Sequence, residues 1–532
     1  MSPIPVDPRK GGQRSVVPEP AGRRRPGPSR YAAAPVCLLA LLLAGSPGAA
    51  GAAPAGPDDA GTTSTSATVP TPDDATATTG VPTPDDPSAT TDAPAAPTTQ
   101  AEARPRIRGL ATPLGQVADG VLPTRDSLSA AVSDELASDW LGPQDRRAVT
   151  IRDAMTGEHL ADRNADLLVT PASTTKILAA AAIVQGLPPG RTFTTRVVAG
   201  ATPQDVVLVA GGDMLLARGE GDPEQVAGRL GAADLAARTA RSLQDQGVTG
   251  PVTVHLDLDH VAGPDVLDSW TDFWVSEGYA GRVVQLGLAE DVALPQAPSP
   301  ADPPQEVARA FRDALVTAGV EVSGEEEADV AVVSAVEGAA ELASGESAPV
   351  RDVLALALAT SDNALVEQLA RQAAAQEGVT TDRAGVTGWI RDTVQEAYGV
   401  DLTGAEIADA SGLSDGTRIP VSAVADVLVA GADGQHPALQ EVLAAGGLPI
   451  AGYTGTLATR FHLPVHAAGI GNARAKTGSL PNVTSLAGTV VTAEGRLLVF
   501  AMTADRIGED GAVLEARSAL DEVVAQLARC GC

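Results

Sequence analysis

The chain has 532 residues, which is long enough for two to four domains, and it is rich in Ala and Gly. Only 2% of its residues are aromatic, so any core must be aliphatic. The formal net charge of −30 excludes a nucleic-acid partner of the usual kind, because nucleic-acid binding needs a basic surface.

Residues 1–53 have the order of a secretory signal. Arginines within 23–30 precede an apolar run over 32–45, and small residues follow, including Ala50-Gly51-Ala52, which suits a signal peptidase. The apolar run of about 14 residues is shorter than the ~20 that span a bilayer. We therefore expect an exported, extracytoplasmic protein, secreted or held in the cell envelope. An uncleaved N-terminal anchor with membrane association is the alternative.

Residues 54–109 consist mostly of Pro, Thr, Ala and Asp and contain a crude 12-residue repeat that begins at Val69 and again at Val81. A segment with almost no large apolar residue cannot bury enough surface to offset its ordering entropy. The sequence therefore predicts an extended, disordered linker here, and ordered structure from about 110.

The remaining chain alternates between strand and helix patterns. Regular elements are expected as strands over 148–153 and near 160, a helix over 174–185 that Pro171 opens, strand-like runs between turns over 190–345, helices over 350–376, strands over 485–492 and 496–504, and a last helix over 515–528.

Three short motifs follow one another in this part of the chain. They are Ser173-Thr-Thr-Lys176 at a helix start, Ser361-Asp362-Asn363 before a helix, and Lys476-Thr477-Gly478 at a strand edge. The set S-x-x-K, S-D-N and K-T-G is typical of β-lactamases and penicillin-binding proteins. Each motif alone is a weak signal, but three in order, each in a suitable local context, are specific.

Lysine usage sharpens this interpretation. Only three of the 37 basic residues are lysines, Lys10, Lys176 and Lys476, and the last two both lie within motifs. An arginine cannot lose its proton in a protein, whereas a buried lysine can do so and act as a base. These two positions therefore require an amine.

Ser173 and Lys176 are three residues apart at a helix start, so their side chains share one face and the amine can reach the hydroxyl. A serine is a poor nucleophile unless a base takes its proton. We expect desolvation, together with the nearby charge of Lys476, to favour the neutral form of Lys176. The helix N-terminus adds positive potential for a developing oxyanion.

The second motif is expected to handle the proton and the substrate amide. Ser361 would relay a proton between the lysines and the leaving amine, and Asn363 would hold the amide. Ordinary helix capping is the competing interpretation, since Ser, Asp and Asn all favour that position.

The third motif is expected to bind one end of the substrate. Lys476 and Thr477 can bind a terminal carboxylate, and Gly478 allows a substrate backbone to approach closely. We expect the backbone N–H groups of Ser173 and Ser479 to form an oxyanion hole.

The chain resembles the class C low-molecular-mass penicillin-binding proteins, the D-alanyl-D-alanine carboxypeptidase/endopeptidase family of the penicillin-binding protein 4 type (peptidase S13). Besides the three motifs, the segments that carry the resemblance are Asp153-Ala-Met-Thr-Gly157, Asn164-Ala-Asp166, Leu208-Val-Ala-Gly-Gly-Asp213 and Asp409-Ala-Ser-Gly-Leu-Ser414. The resemblance implies an α/β (α+β) penicillin-recognising, β-lactamase-like fold with an antiparallel sheet flanked by helices and a helical subdomain. It also implies hydrolysis of peptidoglycan stem peptides through an acyl-enzyme and covalent inhibition by β-lactams.

The spacing of the motifs predicts an insertion. Lys176 and Ser361 are 185 residues apart, and the family carries one or two inserted domains at this point. We expect a mainly β insertion over 195–345, with the catalytic domain formed by 110–194 and 346–532.

Some features stay open at this level. Asp415 stands where the family usually has Arg, with Arg418 three residues on, and either Asp272 or Glu277 could meet the amine of a diamino acid in the stem peptide. The sequence does not separate carboxypeptidase from endopeptidase activity. The alternatives are a β-lactamase and a catalytically silent wall-binding protein on the same fold.

The Cys530-Gly-Cys532 terminus is either a local disulfide or two free thiols. No histidine or cysteine spacing predicts a metal site, and no cofactor is expected.

Overall fold

The computed structural model describes residues 120–325, 328–508 and 512–531. The predicted signal or anchor over 1–53 and the predicted linker over 54–109 lie outside the described residues. Within the described part, no helix combines the length and the apolar character that a bilayer crossing requires.

The strands are β1 (Arg147–Asp153), β2 (His159–Arg163), β3 (Thr194–Ala199), β4 (Asp205–Val209), β5 (Asp213–Leu216), β6 (Thr253–Asp257), β7 (Leu286–Leu288), β8 (Glu341–Glu346), β9 (Ala473–Leu480), β10 (Val483–Val491) and β11 (Leu497–Ala504). The helices are α1 (Arg125–Leu136), α2 (Thr175–Gly186), α3 (Ala232–Asp245), α4 (Asp272–Ser276), α5 (Pro303–Thr317), α6 (Val350–Thr360), α7 (Asn363–Gln376), α8 (Arg383–Tyr398), α9 (Val421–Ala432), α10 (Pro437–Val442) and α11 (Val513–Arg529).

A five-stranded antiparallel sheet in the order β2-β1-β11-β10-β9 is the framework of the molecule. Successive side chains of a strand point to opposite faces, and β11 divides accordingly. Leu498 and Phe500 pack with α1 and α11 on one face, whereas Val499 and Ala501 pack with the other helices on the opposite face. The sheet is therefore covered by helices on both sides, and β2 and β9 are its two edge strands.

Helix α2 lies at the centre of the larger apolar core, against α7, α8 and α9. Its alanines and Leu178 have high helix propensity, and with the Ile and Val residues they give the helix an apolar surface on every side. All of its residues except Gln185 are buried. This complete burial fixes the helix that carries Lys176 relative to the sheet.

The segment predicted as an insertion contains a second sheet, in the order β6-β4-β3-β8, in which β4 and β6 are parallel. Helices α3 and α5 share its apolar core. The sequence predicts mainly strands here, and these two amphipathic helices are the difference. The limits at 195 and 345 fall within β3 and β8, and as domain boundaries they stay predictions.

At the end of the chain Cys530 is disulfide-bonded. Cys532, with which the sequence allows a local disulfide, lies outside the described residues.

Candidate active site

The hydroxyl of Ser173 is presented by a tight turn in front of α2. Ala172–Thr174 form one turn of 3₁₀ helix, and Ala172 has φ 51°, a left-handed conformation that is uncommon for alanine. Two hydroxyls close the turn: Thr174 Oγ1 donates to Pro171 O and Thr175 Oγ1 donates to Ala172 O, both at 2.8 Å. Backbone strain of this kind is typical of functional sites that the surrounding structure holds in place.

Lys176 is fully buried, and its Nζ has three partners. It donates to Ser173 Oγ at 3.1 Å, to Asn363 Oδ1 at 2.5 Å and to Ser411 O at 2.8 Å. The predicted proximity of hydroxyl and amine is therefore present in the structure. The other two contacts fix the direction in which the amine points.

The second motif lies between two helices. Ser361 follows α6 in a left-handed conformation (φ 62°), and Asp362 caps α7 by accepting a hydrogen bond from Leu365 N at 2.9 Å. Asp362 is thus a helix cap, whereas the side chains of Ser361 and Asn363 contact Lys476 and Lys176. The predicted roles of Ser361 and Asn363 toward the substrate stay predictions.

Asn363 links three parts of the chain. Its Oδ1 accepts from Lys176, and its Nδ2 donates to Tyr279 O at 2.7 Å. Tyr279 belongs to the segment between β6 and β7, so this segment orients the amide directly.

The third motif lies on the edge strand β9. Lys476 is fully buried, and its Nζ donates to Ser361 Oγ and to Thr477 O, both at 2.9 Å. Thr477 and Ser479 are two residues apart and are partly exposed on the same face of the strand. A substrate carboxylate on this face would meet both hydroxyls.

Gly478 allows β9 to approach the serine turn. A Cβ at this position would lie 2.1 Å from Ser485 Oγ and 2.8 Å from Pro171 O. Ser485 Oγ donates to the same Pro171 O at 2.6 Å. The absence of a side chain at 478 thus brings the third motif against the residues that precede Ser173.

The pKa values of both active-site lysines are lowered, because their surroundings disfavour the charged form. Burial is the main cause that lowers the pKa of Lys176 to about 8, and nearby carboxyl groups oppose it. Burial also lowers the pKa of Lys476 well below its ordinary value, and the charge of Lys176 lowers it further. The sequence predicts that desolvation and the charge of Lys476 together favour neutral Lys176. In the structure desolvation is the main cause for Lys176, and the repulsion between the two amines lowers the pKa of Lys476.

The carboxyl groups that raise the pKa of Lys176 belong to Asp409, Glu367 and Asp362. Glu367 is buried one helical turn after Asn363 and accepts from Ser411 N at 2.8 Å, so it holds the residue whose carbonyl accepts from Lys176. Burial, reinforced by the charge of Asp409, raises the pKa of Glu367 to about 8. Its i, i+4 spacing from Asn363 is the signal in the sequence that places the two side chains on one face of the helix.

Asp409 organises the loop that contains Ser411. Its carboxylate is fully buried and accepts from Gly412 N, Ser414 N, Ser414 Oγ and the indole Nε1 of Trp270. Gly412 has φ +77°, and a Cβ there would lie 2.1 Å from Ala172 O. The Asp409–Ser414 segment, which is one of those that carry the family resemblance, therefore supports both Ser173 and Lys176.

The acidic residues that could select the diamino-acid side chain of the stem peptide lie at the surface. Asp272 and Glu277 are both exposed, in and immediately after α4, and Asp415 is exposed as well. Arg418 Nη1 donates to Thr417 O at 2.7 Å. Among the described residues, no cluster of His, Cys, Asp and Glu has the arrangement of a metal site.

An edge strand with K-T-G beside a helix that begins with S-x-x-K, over an antiparallel sheet, defines the class of penicillin-recognising serine enzymes. The profile of the D-Ala-D-Ala carboxypeptidase 3 (S13) family matches residues 128–292 and 285–527. The chain belongs to the D-Ala-D-Ala carboxypeptidase 3 (S13) family.

Individual relatives agree with this assignment. A carboxypeptidase of Mycobacterium tuberculosis is 32% identical over 437 residues, which cover 80% of this chain and 89% of that protein. A D-alanyl-D-alanine carboxypeptidase of Actinomadura sp. (strain R39) is 28% identical over 66% of this chain and 76% of that protein. The crystal structure of penicillin-binding protein 4 from Haemophilus influenzae shares the fold, with TM-score 0.57 and 18% identity over 75% of this chain and 98% of that one.

The family and the fold class that the sequence predicts are thus confirmed, as is the assignment to serine-type D-Ala-D-Ala carboxypeptidases. The roles of the individual site residues stay predictions.

Proposed function

We propose that this protein is a serine D-Ala-D-Ala carboxypeptidase that acts on peptidoglycan stem peptides through an acyl-enzyme on Ser173. The observation that carries the proposal is the 3.1 Å contact between Ser173 Oγ and the buried amine of Lys176, whose pKa burial lowers to about 8. A base of this pKa is partly neutral near pH 7, as general base catalysis requires. Relatives named as carboxypeptidases support the reaction type.

Acylation begins when Ser173 Oγ attacks the carbonyl carbon of the penultimate D-alanine and its proton passes to Lys176 Nζ. The backbone N–H groups of Ser173 and Ser479 stabilise the resulting oxyanion. The C–N bond then breaks and the terminal D-alanine leaves as an amine. Ser361 delivers a proton to this amine and is reprotonated by the lysines, so the proton that Lys176 took from Ser173 ends on the leaving group and Lys176 is neutral again. Water finally hydrolyses the ester, which releases the shortened peptide and restores the Ser173 hydroxyl.

The hydrogen bonds of the two lysines suggest how substrate binding prepares the base. Lys476 Nζ donates to Ser361 Oγ and to a carbonyl of its own strand. A carboxylate bound beside Thr477 favours the charged form of Lys476. The charge of Lys176 lowers the pKa of Lys476 in the structure, and because this repulsion is mutual, a charged Lys476 favours the neutral form of Lys176. Arrival of the substrate thus favours a neutral Lys176 at the moment of attack.

The same chemistry fits a D,D-endopeptidase, since the attacked carbonyl is again that of a D-alanine and only the leaving amine differs. The acidic residues Asp272, Glu277 and Asp415 are candidates for contacts to a diamino acid in the stem peptide. The preference between leaving groups is measured by the rates of release of D-alanine from a pentapeptide and of monomers from a cross-linked dimer.

We also propose that the protein is exported, with the N-terminal segment 1–53 acting as a cleaved signal or as a membrane anchor and 54–109 as an extended linker. The order of basic, apolar and small residues supports this. N-terminal sequencing of the protein from the culture medium and from washed membranes distinguishes cleavage from anchoring.

The nucleophile is tested by mass spectrometry after reaction with benzylpenicillin, with the adduct mapped to a tryptic peptide. We expect a stoichiometric adduct on Ser173 and none in Ser173→Ala, with unchanged thermal unfolding of the variant. An adduct on another residue would refute the proposal. Slow release of the adduct fits the peptidase, whereas sustained hydrolysis of nitrocefin would identify a β-lactamase. A folded protein that forms no adduct would indicate the catalytically silent wall-binding protein.

A further inference from the structure

Arg517 places a guanidinium at the end of the strand that carries the third motif. It lies in the second turn of α11, which packs under the five-stranded sheet, and its Nε donates to Ser479 Oγ at 3.1 Å. The Ser479 hydroxyl in turn donates to Gly478 O at 2.8 Å. The site-facing end of β9 thus contacts a cation that none of the three motifs contains.

Arg517 differs from most buried structural arginines, whose charge is balanced by a carboxylate. The adjacent Arg460 shows the contrast, because it binds both oxygens of the buried Asp521 at 3.2 and 2.7 Å. Within the described ranges, no carboxylate oxygen lies within ion-pair distance of Arg517, and Ser479 Oγ is the acceptor of its side chain. A partly buried guanidinium with one neutral acceptor retains donors for an anion.

The two hydroxyls that face the cleft are supported from opposite ends. Thr477 Oγ1 lies 2.9 Å from Thr456 Oγ1, and Ser479 Oγ accepts from Arg517. Residues two apart on a strand are separated by roughly 7 Å. A carboxylate between these hydroxyls would therefore lie close to the guanidinium as well as to Lys476.

The overall electrostatics make a local cation necessary. The chain has a net charge of −30, which disfavours the approach of an anionic peptide, and a site for a carboxylate must overcome this field locally. Burial lowers the pKa of Arg517 to about 10, which shows that its charge is held at some cost but is retained at neutral pH.

We propose that Arg517 positions Ser479 and supplies positive charge for the carboxylate next to the scissile amide of the substrate. It is a specificity-determining residue that selects substrates with a free carboxylate at this position. The proposal rests on the acyl-enzyme function of Ser173 and extends it by naming what recognises the leaving group.

The test compares two thioesters that share the acyl group N-benzoyl-D-alanyl. One has thioglycolate as its leaving group and so carries the carboxylate; the other is the ethyl thioester and lacks it. For Arg517→Gln we expect kcat/KM on the thioglycolate ester to fall roughly 10- to 100-fold, the size of a lost charged hydrogen bond, with less than about twofold change on the ethyl ester. Arg517→Lys keeps the charge and should recover part of the selective loss.

The matched control is Arg529→Gln, an exposed arginine of the same helix that contacts Val465 O, for which both rates should stay unchanged. If Arg517→Gln lowers kcat/KM equally on the two esters, Arg517 has a structural role and the proposal is overturned. Unchanged kcat/KM on both esters would overturn it as well. Failure of the underlying function would look different, because Ser173→Ala would then still form the acyl-enzyme.

Discussion

Lys176 Nζ lies 3.1 Å from Ser173 Oγ, one turn along the same helix start, and both are held from several directions. The amine is fixed by Asn363 and by the carbonyl of Ser411, and the serine turn is fixed by β9 and by the loop around Gly412. The contact is therefore set by long-range packing, although the two residues are neighbours in the sequence.

Replacement of Lys176 by arginine tests whether a charge is sufficient at this position. Because an arginine does not lose its proton, we expect Lys176→Arg to acylate with benzylpenicillin roughly 10²- to 10⁴-fold more slowly, the range attributed to a general base. Lys176→Met controls for side-chain volume, and thermal unfolding of both variants checks the fold. Acylation by Lys176→Arg at the rate of the parent protein would contradict the mechanism.

The pH dependence of acylation should report Lys176. We expect the second-order rate constant with benzylpenicillin to rise with pH and to level off above about 8, since the neutral amine is the active form and burial lowers its pKa to about 8. The charge of Asp362 raises this pKa, so Asp362→Asn should move the rise to lower pH while the asparagine still caps α7. Asp382→Asn, the same change at the cap of α8, should leave the profile in place.

Glu367 should make stability depend on pH. Its pKa is raised to about 8 by burial, so between pH 4.5 and 8 the folded protein holds a proton that the unfolded chain has lost. The contribution of Glu367 to the free energy of unfolding is therefore fully present below pH 4.5 and is lost as the pH rises through that window. Glu367→Gln removes this pH-dependent contribution. The melting temperature of the variant should therefore fall less between pH 5 and 8 than that of the parent protein. Glu377→Gln, an exposed change at the end of the same helix, should follow the parent curve, and identical slopes for all three proteins would disprove the assignment.

Gly478 should tolerate no side chain. The Cβ of Gly478→Ala would lie 2.1 Å from Ser485 Oγ and 2.8 Å from Pro171 O, so β9 or the serine turn must shift. We expect the free energy of unfolding in urea to fall by about 1–3 kcal/mol, the usual cost of overpacking. The rate of acylation should fall at least as much as the fraction of unfolded protein accounts for. Gly190→Ala, whose Cβ would meet no atom within 4 Å, is the neutral control.

Trp270 should couple the inserted segment to the active site. Its indole donates to the buried carboxylate of Asp409 at 3.0 Å, and Trp270→Phe keeps the ring while removing the donor. We expect a loss of about 1–3 kcal/mol in stability, the cost of an unsatisfied buried acceptor, together with slower acylation because the Ser411 carbonyl is less well held. Unchanged unfolding and acylation would show that the three other donors satisfy Asp409.

The parts of the site that the sequence predicts are those with local signals. The spacing of Ser173 and Lys176 on a helix, and the two lysines in an arginine-rich chain, point to the base and its nucleophile without any tertiary information. The strands and helices around the three motifs also lie close to their predicted positions, because apolar periodicity specifies them.

The parts that were missed depend on contacts between distant segments. The carbonyls of Tyr279 and Ser411 are backbone groups, which a sequence motif does not mark, and the meeting of Arg517 with Ser479 depends on how α11 crosses the sheet. The amphipathic helices α3 and α5 have a 3.6-residue apolar pattern, but the strand-like runs around them favour a prediction of β structure for the whole segment.

The complete burial of Lys176 and Lys476 has a practical consequence for labelling. These are the lysines of the described ranges, and neither side chain is accessible to solvent in the folded state. Reagents that modify primary amines should therefore leave this part of the protein untouched until the cleft opens or the chain unfolds. Amine acylation followed by peptide mapping would then report opening of the active site at these two positions, and Lys10, the remaining lysine of the sequence, would be mapped separately.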